Sequence, residues 1–105
     1  MTKDERLKVY KQAEELWGKV AQYDQCIEEM GELIVAINKY KRKVIYGEYK
    51  DNQKIIDNLI EEIADVKMCI EQMSYFVGDD NVERVLDQKM QKFMGQIEQM
   101  KNAKK

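Results

Sequence analysis

Apolar residues recur every three or four positions along four stretches of the chain, the spacing that places them on one face of an α-helix. These stretches cover residues 4–17, 20–43, 53–77 and 82–100. The longest stripes are Val20, Tyr23, Ile27, Met30, Ile34 and Ile37 in the second stretch, and Ile56, Leu59, Ile63, Val66, Ile70, Met73 and Val77 in the third. We therefore predict four helices whose apolar stripes are buried.

Glycines and polar segments mark the boundaries between the predicted helices. Gly18 is expected to break the chain after the first helix, and residues 46–52 form a polar, tyrosine-bearing connection. At residues 78–81 the run GDDN is expected to end the third helix and cap the fourth. Because short connections favour antiparallel neighbours, we predict an all-α, antiparallel four-helix bundle made of a single domain, residues 1–105.

Composition and charge narrow the possible partners. A chain of 105 residues with 44% hydrophobic residues corresponds to one folded domain. A domain of this size buries a modest part of its surface, so an oligomer is expected. The 18 basic and 20 acidic residues give a net charge of -2, which argues against a nucleic-acid partner.

The cysteines and the hydropathy of the chain indicate a cytoplasmic protein. Cys26 and Cys69 do not form a CxxC pair, and each lies in a predicted helix, so we expect reduced, half-buried thiols. We see no apolar run of the kind that forms a signal peptide or a membrane span. We therefore expect no membrane partner.

Two acidic motifs stand out from this helical pattern: EEMGE at residues 28–32 and EEIAD at residues 61–65. At about 100° per residue, Glu62 falls roughly 60° from the centre of the third apolar stripe, and Asp65 lies on the same flank. A buried carboxylate without a partner costs several kcal/mol. Glu62 and Asp65 are therefore predicted to bind a cation, whereas the first motif is less decisive because a chain with twenty acids forms such pairs by chance.

Two lysines in the fourth helix complement the acids. Lys89 lies on the apolar stripe between Leu86 and Phe93, and Lys92 lies on the same edge. One interpretation is that the stems pack while the ammonium groups reach water. The other is that the lysines bind an anion that arrives with the metal.

The pattern Glu-Glu-x-x-Glu followed by Glu-Glu-x-x-Asp on consecutive helices resembles the MazG-like nucleoside triphosphate pyrophosphohydrolases. They belong to the wider all-α pyrophosphohydrolase group that includes dimeric dUTPases. Trp17-Gly18 and Gln22 ahead of the first motif, and Lys89-x-x-Lys92 in the last helix, also resemble small single-domain members. The resemblance covers about residues 14–95.

The resemblance implies a role for each of these residues. The implied Mg²⁺ ligands are Glu29, Glu32, Glu62 and Asp65. The implied catalytic acids are Glu28, Glu29 and Glu61, with Glu28 orienting water. Lys89 and Lys92 would face the phosphates, and the candidates for contacting the base are Trp17, Gln22 and Asn58, although Trp17 is equally interpreted as a core or interface anchor. The family also implies homodimers or homotetramers.

The chemistry of the ligands agrees with this assignment. Carboxylate oxygens without imidazole or thiolate select Mg²⁺, or Mn²⁺, over zinc. Metal-assisted attack of water between the α and β phosphates of a nucleoside triphosphate would release pyrophosphate and a nucleoside monophosphate.

Two alternatives remain open. The first is a non-catalytic helical interaction or regulatory module with a structural or vestigial metal site. The second is a plain coiled-coil dimer, against which the positions of Glu62 and Lys89 argue because buried charges would weaken its seam.

Overall fold

A computed structural model of the chain describes residues 1–47 and 52–104. These residues form helices α1 (Lys3–Trp17), α2 (Lys19–Tyr40), α3 (Gln53–Val77) and α4 (Asp79–Ala103), and a π-helical segment, Lys41–Ile45, follows α2 directly. The described residues contain no strand, which confirms the predicted all-α class. Of the predicted connection at 46–52, residues 48–51 lie outside the described residues.

The chain divides into two compact units, Met1–Met73 and Ser74–Lys105. The first contains α1, α2 and most of α3, and the second contains the end of α3 and all of α4. The four-helix bundle and the single domain stay predictions. Among the described residues, no helix is both long enough and apolar enough to span a bilayer.

Glycines with positive φ separate the helices where the sequence predicted breaks. Gly18 has φ +84° and Gly78 has φ +110°, a region that residues with a side chain rarely adopt. Because Gly78 makes the second break alone, α4 begins at Asp79 and not near residue 82. Asp79 and Asp80 therefore occupy the first turn of α4, where carboxylates interact favourably with the helix dipole, and the predicted side-chain cap is wrong.

Within the first unit, α2 and α3 pack side by side in opposite directions. Gln72 Nε2 donates a hydrogen bond to Gln22 Oε1 at 2.7 Å, and the Cys26 thiol donates to the Cys69 carbonyl at 3.6 Å. Residue numbers thus rise along α2 as they fall along α3. Both cysteines are free, and both are buried rather than half-buried as expected.

Hydrogen bonds from Arg6 and Tyr10 to the Glu71 carboxylate attach α1 to another face of α3. Arg6 Nε and Nη2 donate to the two carboxylate oxygens of Glu71 at 2.6 and 3.1 Å, and the Tyr10 hydroxyl donates to Glu71 Oε1 at 2.8 Å. The hydrogen bond from Arg6 holds the pKa of Glu71 below its usual range. Burial, reinforced by the Glu71 carboxylate, raises the pKa of Tyr10 to about 12.

The buried faces of α2 and α3 coincide only partly with the predicted stripes: Val66 of the third stripe is buried, whereas several other stripe residues are exposed. Ile27 and Ile34 of α2 are 69% and 61% exposed, and Ile63 and Ile70 of α3 are 42% and 48% exposed. The two helices meet instead along a neighbouring face whose buried residues are Cys26, Ala36, Ile55, Val66, Cys69 and Gln72. Periodicity identifies an apolar face of a helix, but it does not say which partner covers that face.

Candidate metal centre

Three carboxylates of the two acidic motifs converge across the α2–α3 seam. Each of Glu29, Glu32 and Glu62 offers an oxygen that lies within 4.8 Å of the others. Glu29 and Glu32 are three residues apart, so they project from one side of α2, and the antiparallel α3 brings Glu62 beside them. Glu29 and Glu62 are partly buried, whereas Glu32 is exposed. Three of the four predicted metal ligands are thus placed together.

The fourth predicted ligand, Asp65, lies beside this cluster and is not one of its converging members. It is partly buried and follows Glu62 by almost one turn of α3. Its charge contributes to the raised pKa of Glu62, so it belongs to the same electrostatic environment.

The carboxylates of the cluster oppose one another's ionisation. The neighbouring charge of Glu29, followed by a partial loss of hydration and the charges of Glu62 and Glu28, raises the pKa of Glu32. Loss of hydration on burial, followed by the charges of Asp65, Glu29 and Glu61, raises the pKa of Glu62. A cation at this point would favour the ionised forms and reverse both effects.

Two oxygens of the cluster are left without a partner. Glu29 Oε2 and Glu62 Oε2 are buried, and neither has a hydrogen-bond partner among the described residues. The other oxygen of Glu29 accepts a hydrogen bond from Gln25 Nε2 at 2.8 Å, which orients the carboxylate. Buried carboxylate oxygens need a donor or a metal ion, and oxygen-only ligands suit Mg²⁺ or Mn²⁺. The residues present therefore fit a hard divalent cation.

Gln25 was not among the residues predicted from the sequence. Its position four residues before Glu29 is the spacing at which side chains meet on a helix surface, so the signal was present. It was missed because an amide one turn from an acid is common on any polar helix face.

Three further predicted residues flank the cluster. Glu28 and Glu61 are exposed, and their charges contribute to the raised pKa values of Glu32 and Glu62, respectively. Asn58 is exposed on α3, one turn before Glu62. Their predicted roles toward water and the base stay predictions.

The other two candidates for contacting the base lie further from the carboxylates. Gln22 is partly buried, and its side chain is engaged by Gln72, about 10 Å along α2 from Glu29. Trp17 ends α1 and is 67% exposed, so its interpretation as a core anchor is wrong, while a role at an interface or against a base stays a prediction.

The two predicted phosphate ligands, Lys89 and Lys92, are exposed residues of α4 in the second unit. Leu86 and Phe93, which flank Lys89 on the stripe, are also exposed. Lys89 is therefore not a buried charge within the chain, and its role toward phosphate stays a prediction.

Comparison of this chain with protein-family models, curated proteins and solved structures gives no match. The resemblance to the MazG-like enzymes therefore depends on the two acidic motifs and the accompanying residues of this sequence.

Proposed function

We propose that the protein is a Mg²⁺-dependent nucleoside triphosphate pyrophosphohydrolase of the MazG-like type. It would hydrolyse a ribo- or deoxyribonucleoside triphosphate to the monophosphate and pyrophosphate, and so remove surplus or non-standard nucleotides. The observation that supports this most is the convergence of Glu29, Glu32 and Glu62, because these acids come from the two motifs that carry the family resemblance.

In this proposal Glu29, Glu32 and Glu62 hold the metal, with Asp65 beside them. The bound Mg²⁺ or Mn²⁺ supplies Lewis-acid stabilisation of phosphate oxygens and lowers the pKa of water. Gln25 keeps Glu29 oriented through its 2.8 Å hydrogen bond.

The remaining residues act on water and on the nucleotide. Exposed carboxylates at Glu28 and Glu61 accept a proton from the attacking water. The water oxygen bonds to phosphorus at the α–β anhydride, and the bridging oxygen leaves with the other phosphoryl group. The roles of Lys89 and Lys92 toward phosphate, and of Trp17, Gln22 and Asn58 toward the base, are supported by the family resemblance alone.

The test is release of pyrophosphate from a panel of nucleoside triphosphates with Mg²⁺. Glu62→Gln and Asp65→Asn should each lower turnover at least about 100-fold. Mutating a residue that only supports a metal ligand already lowers activity by up to about 100-fold, so losing a ligand should cost at least as much. Far-UV circular dichroism should show unchanged helicity. Glu15→Gln, at an exposed acid of α1, is the matched control and should keep full activity. Release of orthophosphate, or full activity in the two site variants, would contradict the assignment.

A second candidate is a non-catalytic helical interaction module with a structural or vestigial metal site. The exposure of apolar side chains along α2, α3 and α4 favours it, because such surfaces bind partners. Calorimetry with Mg²⁺ and a non-hydrolysable nucleotide separates the two functions, since the module would not bind the nucleotide.

We further propose that the protein is cytoplasmic and acts as a homodimer or homotetramer. The small buried core supports an oligomer: the apolar residues buried in the described part of the chain are Tyr10, Cys26, Ala36, Ile55, Val66 and Cys69. Two cysteines and an alanine contribute little to hydrophobic stabilisation compared with buried leucine or isoleucine.

A further inference from the structure

A groove between α1 and α3 has the dimensions of a small-molecule site. Its volume is about 490 Å³, and such sites occupy roughly 300–1,000 Å³. The wall that α3 provides consists of Ala64, Lys67, Met68 and Glu71, which are spaced three or four residues apart and therefore share one side of the helix. All of the groove lies within the first unit. We call it the α1–α3 groove.

Most of the surface of the α1–α3 groove is apolar and accessible. Val9 of α1 and Met68 of α3 are 45% and 56% exposed. Ala64, one turn before Met68, is also exposed, and its methyl group fills little of the space between the helices. Methionine adapts its shape to a ligand and makes favourable contacts with aromatic rings. The groove therefore suits a flat, apolar body.

The charged residues that line the groove carry one excess positive charge. Glu71 is already neutralised, because its two carboxylate oxygens accept hydrogen bonds from Arg6 and Tyr10. The Lys67 ammonium has no hydrogen bond or ion pair with any other described residue. Its charge is thus left for a ligand.

Arg6 has further donors beside those that bind Glu71. A guanidinium carries five N–H groups. Within the part of the chain that the structure describes, Nε and Nη2 donate to Glu71, and Nη1 donates to the Met1 carbonyl at 3.1 Å. Two N–H groups remain. Guanidinium and ammonium groups bind carboxylates strongly, and one carboxylate would balance the excess charge, whereas a polyphosphate would exceed it.

The α1–α3 groove lies on the opposite side of α3 from the acidic cluster. Glu71 follows Glu62 by nine residues, which at about 100° per residue is roughly half a turn round the helix. A ligand in the groove would therefore not contact a metal held by the carboxylates.

We propose that the α1–α3 groove binds a small carboxylate with an apolar body. The carboxylate pairs with Lys67 and with the remaining N–H groups of Arg6. The body lies against Val9, Ala64 and Met68. The proposal depends on the lining and charge of the groove and holds whether or not the acidic cluster is catalytic.

The test uses 2-naphthoate as the probe and its neutral counterpart 2-naphthamide as the matched ligand. In ¹H–¹⁵N spectra of the full chain, 2-naphthoate should shift the amide signals of Val9 and Ala64 and leave that of Gly95, in α4, unchanged. We expect a Kd of about 1 mM or below, as ordinary ligand efficiency gives for a probe of this size. The amide should bind about two- to fivefold more weakly, the usual effect of an exposed ion pair.

Lys67→Gln should remove this preference by weakening the binding of 2-naphthoate about two- to fivefold, with the Kd of 2-naphthamide unchanged. Lys54→Gln, at an exposed lysine of α3 outside the groove, is the matched control and should change neither Kd. Ala64→Leu places a larger side chain in the groove and should weaken the binding of both probes.

Three results would overturn the proposal. They are equal affinities of the unmodified protein for the acid and the amide, signal shifts confined to residues outside the groove, and the same loss of affinity in Lys54→Gln as in Lys67→Gln. Pyrophosphate release from nucleoside triphosphates is a separate readout, so failure here is distinguishable from failure of the proposed enzymatic function.

Discussion

Binding of a divalent cation to the acidic cluster is expected to release protons at mildly acidic pH. The pKa values of Glu32 and Glu62 are raised from the ordinary value of 4.5, so at a given acidic pH each side chain holds more of a proton than an ordinary glutamate does. A metal ion binds only the ionised carboxylates, so protons must leave as it binds.

The number of released protons can be bounded from the structure. At pH 5, two ordinary glutamates with pKa 4.5 would together hold about half a proton. Because both pKa values are raised, the release at pH 5 should exceed about half a proton per bound metal, and two groups can release at most two. The release should fall as the pH rises above the raised pKa values of the two glutamates.

Isothermal titration calorimetry with Mn²⁺ in two buffers of different ionisation enthalpy measures this number directly. Glu32→Gln should lower it, and Glu15→Gln should leave it unchanged. Metal binding at pH 5 with a release of half a proton or less would refute the electrostatic reasoning. The raised pKa values of Glu32 and Glu62 also affect folding stability. In the metal-free protein their stabilising contribution is fully present below about pH 4.5 and is lost as the pH rises through the raised pKa values.

Three further substitutions are expected to change stability. Tyr10→Phe removes the hydrogen bond to Glu71 and should cost about 1–1.5 kcal/mol, or roughly 4–8 °C in Tm. The pKa of Tyr10 is raised from 10.0 to about 12, so the difference in stability between the unmodified protein and Tyr10→Phe should be full below about pH 10 and should disappear as the pH rises through 12. An unchanged Tm in Tyr10→Phe would contradict this prediction. Gly95→Ala should stabilise by about 0.5–1 kcal/mol in urea unfolding, since its helical site has open space for a methyl group. Gly78→Ala should destabilise, because φ is +110° and the new Cβ would lie 3.0 Å from Asn81 Nδ2; equal effects at the two glycines would contradict this reasoning.

The helices and their approximate bounds were predictable because apolar spacing and glycine positions are local signals. The third helix was predicted at 53–77 and is observed at Gln53–Val77. The predicted start of α4 was too late. Gly78, with its positive φ, ends α3 by itself, so Asp79 and Asp80 form the first turn of α4 and are not part of the connection.

The identity of the buried face was not predictable from periodicity. A stripe such as Ile27 and Ile34 has the same spacing whether it packs inside one chain or against another molecule. Cys26 is in close contact with α3 because α2 and α3 pack along faces next to their apolar stripes. Which face of a helix packs is decided by tertiary structure and cannot be read from the spacing of apolar residues. Glu62 was correctly recognised as unusual for its helix, although the face on which it lies proved to be the seam itself.

The two buried thiols also bear on the size of the ion that the carboxylates can hold. Cys26 precedes Glu29 by three residues, about one helical turn, and Cys69 follows Glu62 by seven, about two turns, and neither cysteine is among the converging ligands. Interaxial distance depends on the side chains at the contact, and these small residues let α2 and α3 approach closely. Mg²⁺ takes oxygens at about 2.0–2.1 Å and Ca²⁺ at about 2.3–2.6 Å. We expect bulkier residues at these positions to spread the carboxylates and to shift the preference of the proposed site toward the larger ion, so that residues that never touch the cation would help to set its selectivity.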